Sequence, residues 1–311
     1  MKDASATIHH DGTGRRLLRT AGDYVALTKP RLTLVAVVTA MFGFYAGATG
    51  GAGGVFDAVS VVPLLHLLAG TALLGAGLAA LNQYMERRLD ARMARTAQRP
   101  IPSGRVRPGA ALAFGSLTSL AGVAQLGFNA NVLTAVLGAA TLLLYLFCYV
   151  PLKTRSPWCT PVGAVPGALP PVIGYAAAAG TLDAQALVLF AIVYLWQLPH
   201  FMAIAVVYRD EYRAAGMPML PVVDDDDHRR TARHILLQCF ALFIATLWPT
   251  YLHLAGETYL MIALLLGFIF GAFAFDAATN TTIASARRLF LASIFYLPVL
   301  FSVMIWDKTL Q

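Results

Sequence analysis

The sequence predicts an all-α integral membrane protein, a bundle of about nine transmembrane helices with a cytoplasmic amino terminus. Three observations predict it. Of 311 residues, 58% are hydrophobic and 13% charged, with a mean hydropathy of +0.65, whereas about a quarter of the residues of a soluble protein are charged. Nine apolar stretches approach the ~20 residues that a helix needs to cross a hydrocarbon core of about 30 Å. Lysine and arginine gather on one side of those stretches, as cytoplasmic loops require. The apolar runs are continuous rather than alternating, which argues against a β-barrel.

Residues 1–28 are expected to be a flexible cytoplasmic tail, followed by a single membrane domain over 29–311. The tail carries Asp3, Asp11 and Asp23 and no long apolar run, so it reads neither as a signal peptide nor as an acidic-poor transit peptide. A bacterial cell (inner) membrane, crossed many times, is the expected location. The spans are expected at 32–50, 58–81, 109–128, 130–150, 161–180, 184–207, 235–254, 258–276 and 289–306. Their Gly, Pro and Ala content is tolerated because close helix packing re-satisfies the backbone. With the amino terminus inside, the inside segments are 1–31, 82–108, 151–160, 208–234 and 277–288. They hold 22 of the 23 lysines and arginines, and Lys308 alone falls outside. The basic pI is therefore a topology signal, and no nucleic-acid partner is read from it. Cys148, Cys159 and Cys239 show no paired spacing for zinc.

Charge is concentrated in "LNQYMERRLDARMARTAQRP" (81–100), at the inside end of the second span. Asn82, Glu86 and Asp90 are four residues apart, so on a continuing helix they line one face over about 12 Å. Oxygen ligands suit hard cations, and Mg²⁺ takes one or two carboxylates while keeping positions for water and phosphate. Arg92, Arg95 and Arg99 would hold phosphate oxygens from the other side. The competing reading is an ordinary helix end in which Glu86 and Asp90 pair with nearby arginines. A second acidic patch favours the ligand row: the sixth span runs out through "WQLPHFMAIAVVYRDEYRAAGMPMLP" (196–221), which brings Asp210 and Glu211 to the same surface. Two such patches facing each other across an inside cavity suit a diphosphate bridged by magnesium. "YVPLKTRS" adds Tyr149, Lys153 and Arg155 as phosphate donors.

These motifs resemble the UbiA-type intramembrane prenyltransferases over roughly residues 25–305, and most closely their heme branch. The resemblance rests on Asn82, Glu86 and Asp90 followed by "MARTAQRPIPSGRV", on "YVPLKTRS", on "PVGAVPGALPPVIGY" (161–175) and on "WQLPHF" (196–201). It implies nine helices around a central cavity with two acidic motifs above it. The residues it carries over in the second motif are Tyr208, Asp210, Glu211 and Tyr212. Many relatives have Asp in place of Glu86, and quinone-type relatives have Asp in place of His200.

The activity implied is Mg²⁺-dependent transfer of the farnesyl group of farnesyl diphosphate to the 2-vinyl group of heme B with addition of water, giving heme O and diphosphate. Metal, lysine and arginine would stabilise the leaving group, and a dry cavity would protect the allylic cation from water. Heme B is a substrate rather than a cofactor. Both substrates are lipophilic and reach the site from the lipid bilayer, and the product is handed to a heme A synthase or to terminal oxidase assembly. His200 has three functional roles open to it, as iron ligand, propionate contact or proton acceptor, beside an ordinary packed histidine. "DDDD" (224–227) is read as a solvated acidic loop outside the motif, and His66 and His253 as structural. A transporter would show broken helices at mid-membrane rather than acidic rows at the surface. A quinone or chlorophyll prenyltransferase is the nearest enzymatic rival, against which "WQLPHF" and "RTAQRP" argue.

Overall fold

The protein is described by a computed structural model covering residues 11–48, 61–225 and 228–308. Among these residues all regular structure is helical, and nine helices are long and apolar enough to span a membrane. We number the helices α1 (Asp11–Leu27), α2 (Pro30–Gly47), α3 (Val61–Asp90), α4 (Pro108–Asn129), α5 (Val132–Leu152), α6 (Cys159–Ala179), α7 (Ala184–Val207), α8 (Arg209–Ala214), α9 (Leu220–Val223), α10 (Arg229–Tyr251), α11 (Glu257–Asn280) and α12 (Ile283–Lys308). The nine spans expected from the sequence are α2 to α7 and α10 to α12. Positions 49–50 and 58–60 of the expected spans lie outside the described residues.

Several helices run past the apolar core that defined them. The second span was expected to end at 81 and instead continues to Asp90; the seventh starts at Arg229 rather than 235, and the ninth at Ile283 rather than 289. Hydropathy marks only the part of a helix in lipid, and a helix that continues into the aqueous layer keeps its backbone bonds with polar side chains. The segment expected to be a flexible tail is helical from Asp11, and Leu27 is fully buried against Ala80, Ile101, Val106 and Ala111. Residues 1–10 lie outside the described residues.

The expected solvated "DDDD" loop is corrected at its first residue. Asp224 is buried and its Oδ2 accepts from the backbone N–H and the hydroxyl of Thr231, both at 2.7 Å. It caps the first turn of α10, whose free N–H groups favour a carboxylate. Asp225 is exposed, and residues 226–227 lie outside the described residues.

The tightest crossing joins α2 to α6. A Cβ on Gly43 would stand 1.9 Å from the carbonyl oxygen of Pro171, and one on Gly174 would stand 1.8 Å from that of Ala40. Small residues allow backbones to approach this closely where lipid supplies no hydrophobic drive between helices. A larger core is packed from α7, α10, α11 and α12, around Tyr259, Leu189, Ile192, Leu242, Leu289 and Leu300.

Two prolines lie in helices near the site. Pro151 lacks an N–H, and the preceding turn, Leu144–Tyr149, is a π-turn in which Val150 N–H bonds to the Tyr145 carbonyl. Pro199 lies inside α7, whose Trp196 and His200 are one turn apart and both reach Ser293 on α12.

Candidate active site

Asn82, Glu86 and Asp90 lie on one buried face of α3, being 1%, 9% and 3% exposed. A cation meets each of them. Lys29 Nζ donates to Asn82 Oδ1 at 2.8 Å. Lys153 Nζ donates to Glu86 Oε1 at 2.5 Å. Arg99 Nη1 donates to both oxygens of Asp90, at 2.7 and 2.8 Å. The cluster holds three cationic side chains and two carboxylates, so it is set to receive an anion as well as a metal.

Each cation is placed by local structure. Lys29 adopts φ 45°, a left-handed conformation in keeping with the proline that follows, which disfavours the right-handed helical region for the residue before it. Gln83 Nε2 secures that turn by donating to the Leu27 carbonyl at 2.9 Å. Burial and the charges of Arg99 and Lys153 lower the Lys29 pKa to about 7, against the pull of Glu86 and Asp90. Lys153 follows the π-turn, its ammonium 4.6 Å from the centre of the Tyr149 ring. Burial opposes its charge, but Tyr149 and Glu86 outweigh burial and raise its pKa. The Tyr149 ring fits because residue 163 is glycine, where a Cβ would come within 2.4 Å of it. Arg99 lies in the irregular segment after α3, which Thr96 fastens by donating to the Asp90 carbonyl at 2.8 Å.

The two motifs meet at the same end of the bundle. The Arg95 guanidinium lies 4.9 Å from the centre of the Tyr208 ring. Met93 packs with Ala215 and Met217, with Tyr212 and Leu89 against them. Burial raises the Tyr212 pKa, opposed by the charges of Arg95 and Lys153. The two acidic residues of the second motif diverge. The Asp210 side chain is 92% exposed and lies 3.3 Å from Arg213. Glu211 has a buried Oε2 with no hydrogen-bond partner. Arg155 is exposed, and its side chain does not join the cluster.

A cavity of about 380 Å³ touches the second motif from the side of α7, α10, α11 and α12, and the Asn82 row does not line it. His200 lies one turn deeper than Ala203 of its wall. Its Nδ1 is 2.7 Å from Ser293 Oγ, and its ring stacks on Trp196 and tilts over Phe290, with centroids 5.0 Å away in each case. Ser293 Oγ donates to the Phe290 carbonyl at 2.5 Å, so it accepts from His200. That assignment puts the histidine proton on Nδ1 and leaves Nε2 with its lone pair.

Among the described residues no three His, Cys, Asp or Glu side chains converge as a ready-made metal cage. The donors that are present are oxygens, and Glu211 in the second motif has a buried carboxylate oxygen with no hydrogen-bond partner. This set fits Mg²⁺, which is commonly held by one or two carboxylates together with phosphate oxygens of a substrate. Lys29 and Gln83 escaped the sequence reading. Lys29 lies far from the acidic row in sequence, and Gln83 carries no charge.

The chain matches the family described as UbiA prenyltransferase over residues 36–298. It is 46% identical over 288 residues to the protoheme IX farnesyltransferase of Solibacter usitatus, covering 92% of this chain and 98% of that protein. It is 42% identical over 300 residues to the protoheme IX farnesyltransferase of Koribacter versatilis, covering 93% and 94%. Its fold is similar to that of a digeranylgeranylglyceryl phosphate synthase, with a TM-score of 0.76 at 14% identity over 94% of this chain and all of the other. It is also similar to a UbiA homologue from Archaeoglobus fulgidus bound to GPP and Mg²⁺, with a TM-score of 0.62 at 14% identity, covering 91% and 99%.

Proposed function

The chain belongs to the UbiA prenyltransferase family, and from that premise we propose that it transfers the farnesyl group of farnesyl diphosphate to the 2-vinyl group of heme B, with addition of water. The acceptor and donor are supported by relatives of that name at 42–46% identity. The observation that carries the site assignment is the buried cluster in which Lys29, Lys153 and Arg99 each bond one member of the Asn82, Glu86 and Asp90 row.

The chemistry follows from the charges. The bond between farnesyl C1 and oxygen breaks and diphosphate leaves with the electron pair. The vinyl alkene attacks C1, the cation then formed beside the porphyrin is captured by water, and that water loses a proton. Lys153 and Arg99 are positive groups, and Lys29 a donor whose protonated form is favoured by added negative charge, already positioned where that charge grows on the leaving diphosphate, so little reorganisation is needed as the bond breaks. Arg95, from the segment after the first motif, and Tyr212, from the second motif, extend this donor set, and Tyr149 and Tyr208 hold Lys153 and Arg95 through their ring faces. Asn82, Glu86, Asp90 and Glu211 would hold Mg²⁺, which supplies Lewis-acid stabilisation of the phosphate oxygens. Asp210 and Arg155 face outward and would meet diphosphate only while it enters or leaves. Binding of GPP and Mg²⁺ by the A. fulgidus homologue supports the metal and the class of donor.

We place the enzyme in a bacterial inner membrane with the amino terminus and both motifs on the cytoplasmic side. The distribution of lysine and arginine supports this orientation. The product would pass to a heme A synthase or to terminal oxidase assembly.

Two results are expected. Purified protein given heme B, farnesyl diphosphate and Mg²⁺ yields a pigment heavier by one farnesyl group and one water, read by chromatography and mass, and a chelator abolishes it. Turnover unaffected by chelator would remove the metal from the account. Lys29→Met raises KM for farnesyl diphosphate about tenfold, the usual effect of losing one hydrogen bond to a charged group. An unchanged KM would take Lys29 out of the site.

A further inference from the structure

The cavity on the far side of the second motif has a polar mouth and an apolar interior. Arg209 and His228 stand at its mouth, and Ala203, Ile235 and Leu289 are among its walls. Arg209 Nη1 lies 2.8 Å from His228 Nε2. Arginine can only donate, so His228 Nε2 accepts and the neutral imidazole carries its proton on Nδ1. Arg209 Nε is buried and has no partner. The mouth therefore offers an unused guanidinium N–H and an imidazole N–H, a pairing suited to a carboxylate. Glu211 shares the lining, and its negative charge directs such a carboxylate toward Arg209 and His228.

Deeper along the same helix faces lies the second half of the pattern. His200, Ala203 and Val207 follow helical spacing on α7, as do Ser293, Leu289 and Ala286 on α12, and the cavity is lined by the outer two of each set. The layer below that lining is thus His200 on Ser293. Ser293 fixes the proton on Nδ1, and among the described residues nothing bonds His200 Nε2. A neutral imidazole whose second nitrogen is held by a hydrogen bond is the usual arrangement of a metal-ligating histidine. His200 and Val207 are seven residues apart on α7, about 10 Å along its axis, and Arg209 opens the next helix one residue beyond the turn at Tyr208. With the side-chain arms of His200 and Arg209, that is the reach of a porphyrin from its propionates to its iron.

We propose that this cavity is the acceptor site: an iron tetrapyrrole enters between α7, α10, α11 and α12 with its propionates on Arg209 and His228 and its iron on His200 Nε2. The inference rests on the function proposed above and assigns that function's acceptor to named residues. Propionates lie on the porphyrin edge opposite the vinyl groups, so anchoring them at the mouth sends the vinyl edge inward. Tyr208 lines the cavity and also carries Arg95 on its ring, so it forms the wall shared with the diphosphate cluster.

Ferric heme B and its dimethyl ester, titrated into the full-length protein in detergent and followed by the Soret band, test the proposal. For the unaltered protein the ester is expected to bind about tenfold more weakly than the free acid. Arg209→Gln is expected to weaken the free acid by the same factor and leave the ester unchanged. His200→Gly is expected to lose the histidine-ligated spectrum and recover it on addition of imidazole, while Ser293→Ala keeps a ligated heme with a shifted spectrum. Equal binding of acid and ester by the unaltered protein, or an unchanged spectrum in His200→Gly, overturns the assignment even where heme is turned over. Absence of any heme turnover overturns the functional reading itself.

Discussion

Asp90→Ala is expected to lower farnesyl transfer by about 10²–10³-fold or more, the loss seen when one preorganised group that stabilises transition-state charge is removed. Asp90 is 3% exposed and both of its oxygens receive Arg99. It is thus the member of the row best fixed in place, and its removal takes away a ligand oxygen and frees the guanidinium that it orients. The fold should survive. The Arg99 side chain is 27% exposed, so once released it reaches water, and the backbone bond from Thr96 to the Asp90 carbonyl does not depend on the carboxylate. The check is product formation beside a thermal unfolding curve and a gel-filtration profile in the same detergent. Near-normal turnover, or loss of the folded species, would each contradict this placement.

The second large effect is on stability. Gly174→Val is expected to lower the thermal midpoint by on the order of 10 °C, or to prevent recovery of folded protein, because its Cβ would stand 1.8 Å from the Ala40 carbonyl oxygen. Backbone cannot yield there as a flexible side chain would. α2 and α6 must move apart, and the reciprocal contact of Gly43 on Pro171 is lost with them. A fluorescence melt of the variant in detergent measures it. A midpoint within a degree or two of the unaltered protein would show that the crossing is looser than described.

The ligand row was legible because it obeys helical spacing, and the helix carries that spacing through to Asp90. Apolar length made the nine spans readable, since the bilayer imposes it on short stretches of sequence. What depended on contacts between distant segments was hidden. Lys29 lies 53 residues from Asn82, and nothing local in the sequence links the two. The π-turn before Pro151, which sets up Lys153, has no sequence period of its own. Asp210 and Glu211 are adjacent and chemically similar, and only the turn at the end of α7 sends one outward and one inward. Asp224 looked like part of a repelling acidic run because its partner, Thr231, could be recognised only once the start of α10 was placed.

Acceptor choice tests the central claim most directly. Purified protein with farnesyl diphosphate and Mg²⁺ is offered heme B in one reaction and an aromatic acid acceptor in another, and the products are weighed by mass spectrometry. The account predicts heme carrying one farnesyl group and one water, with the aromatic acid left unmodified. A prenylated aromatic acid beside unaltered heme would contradict it.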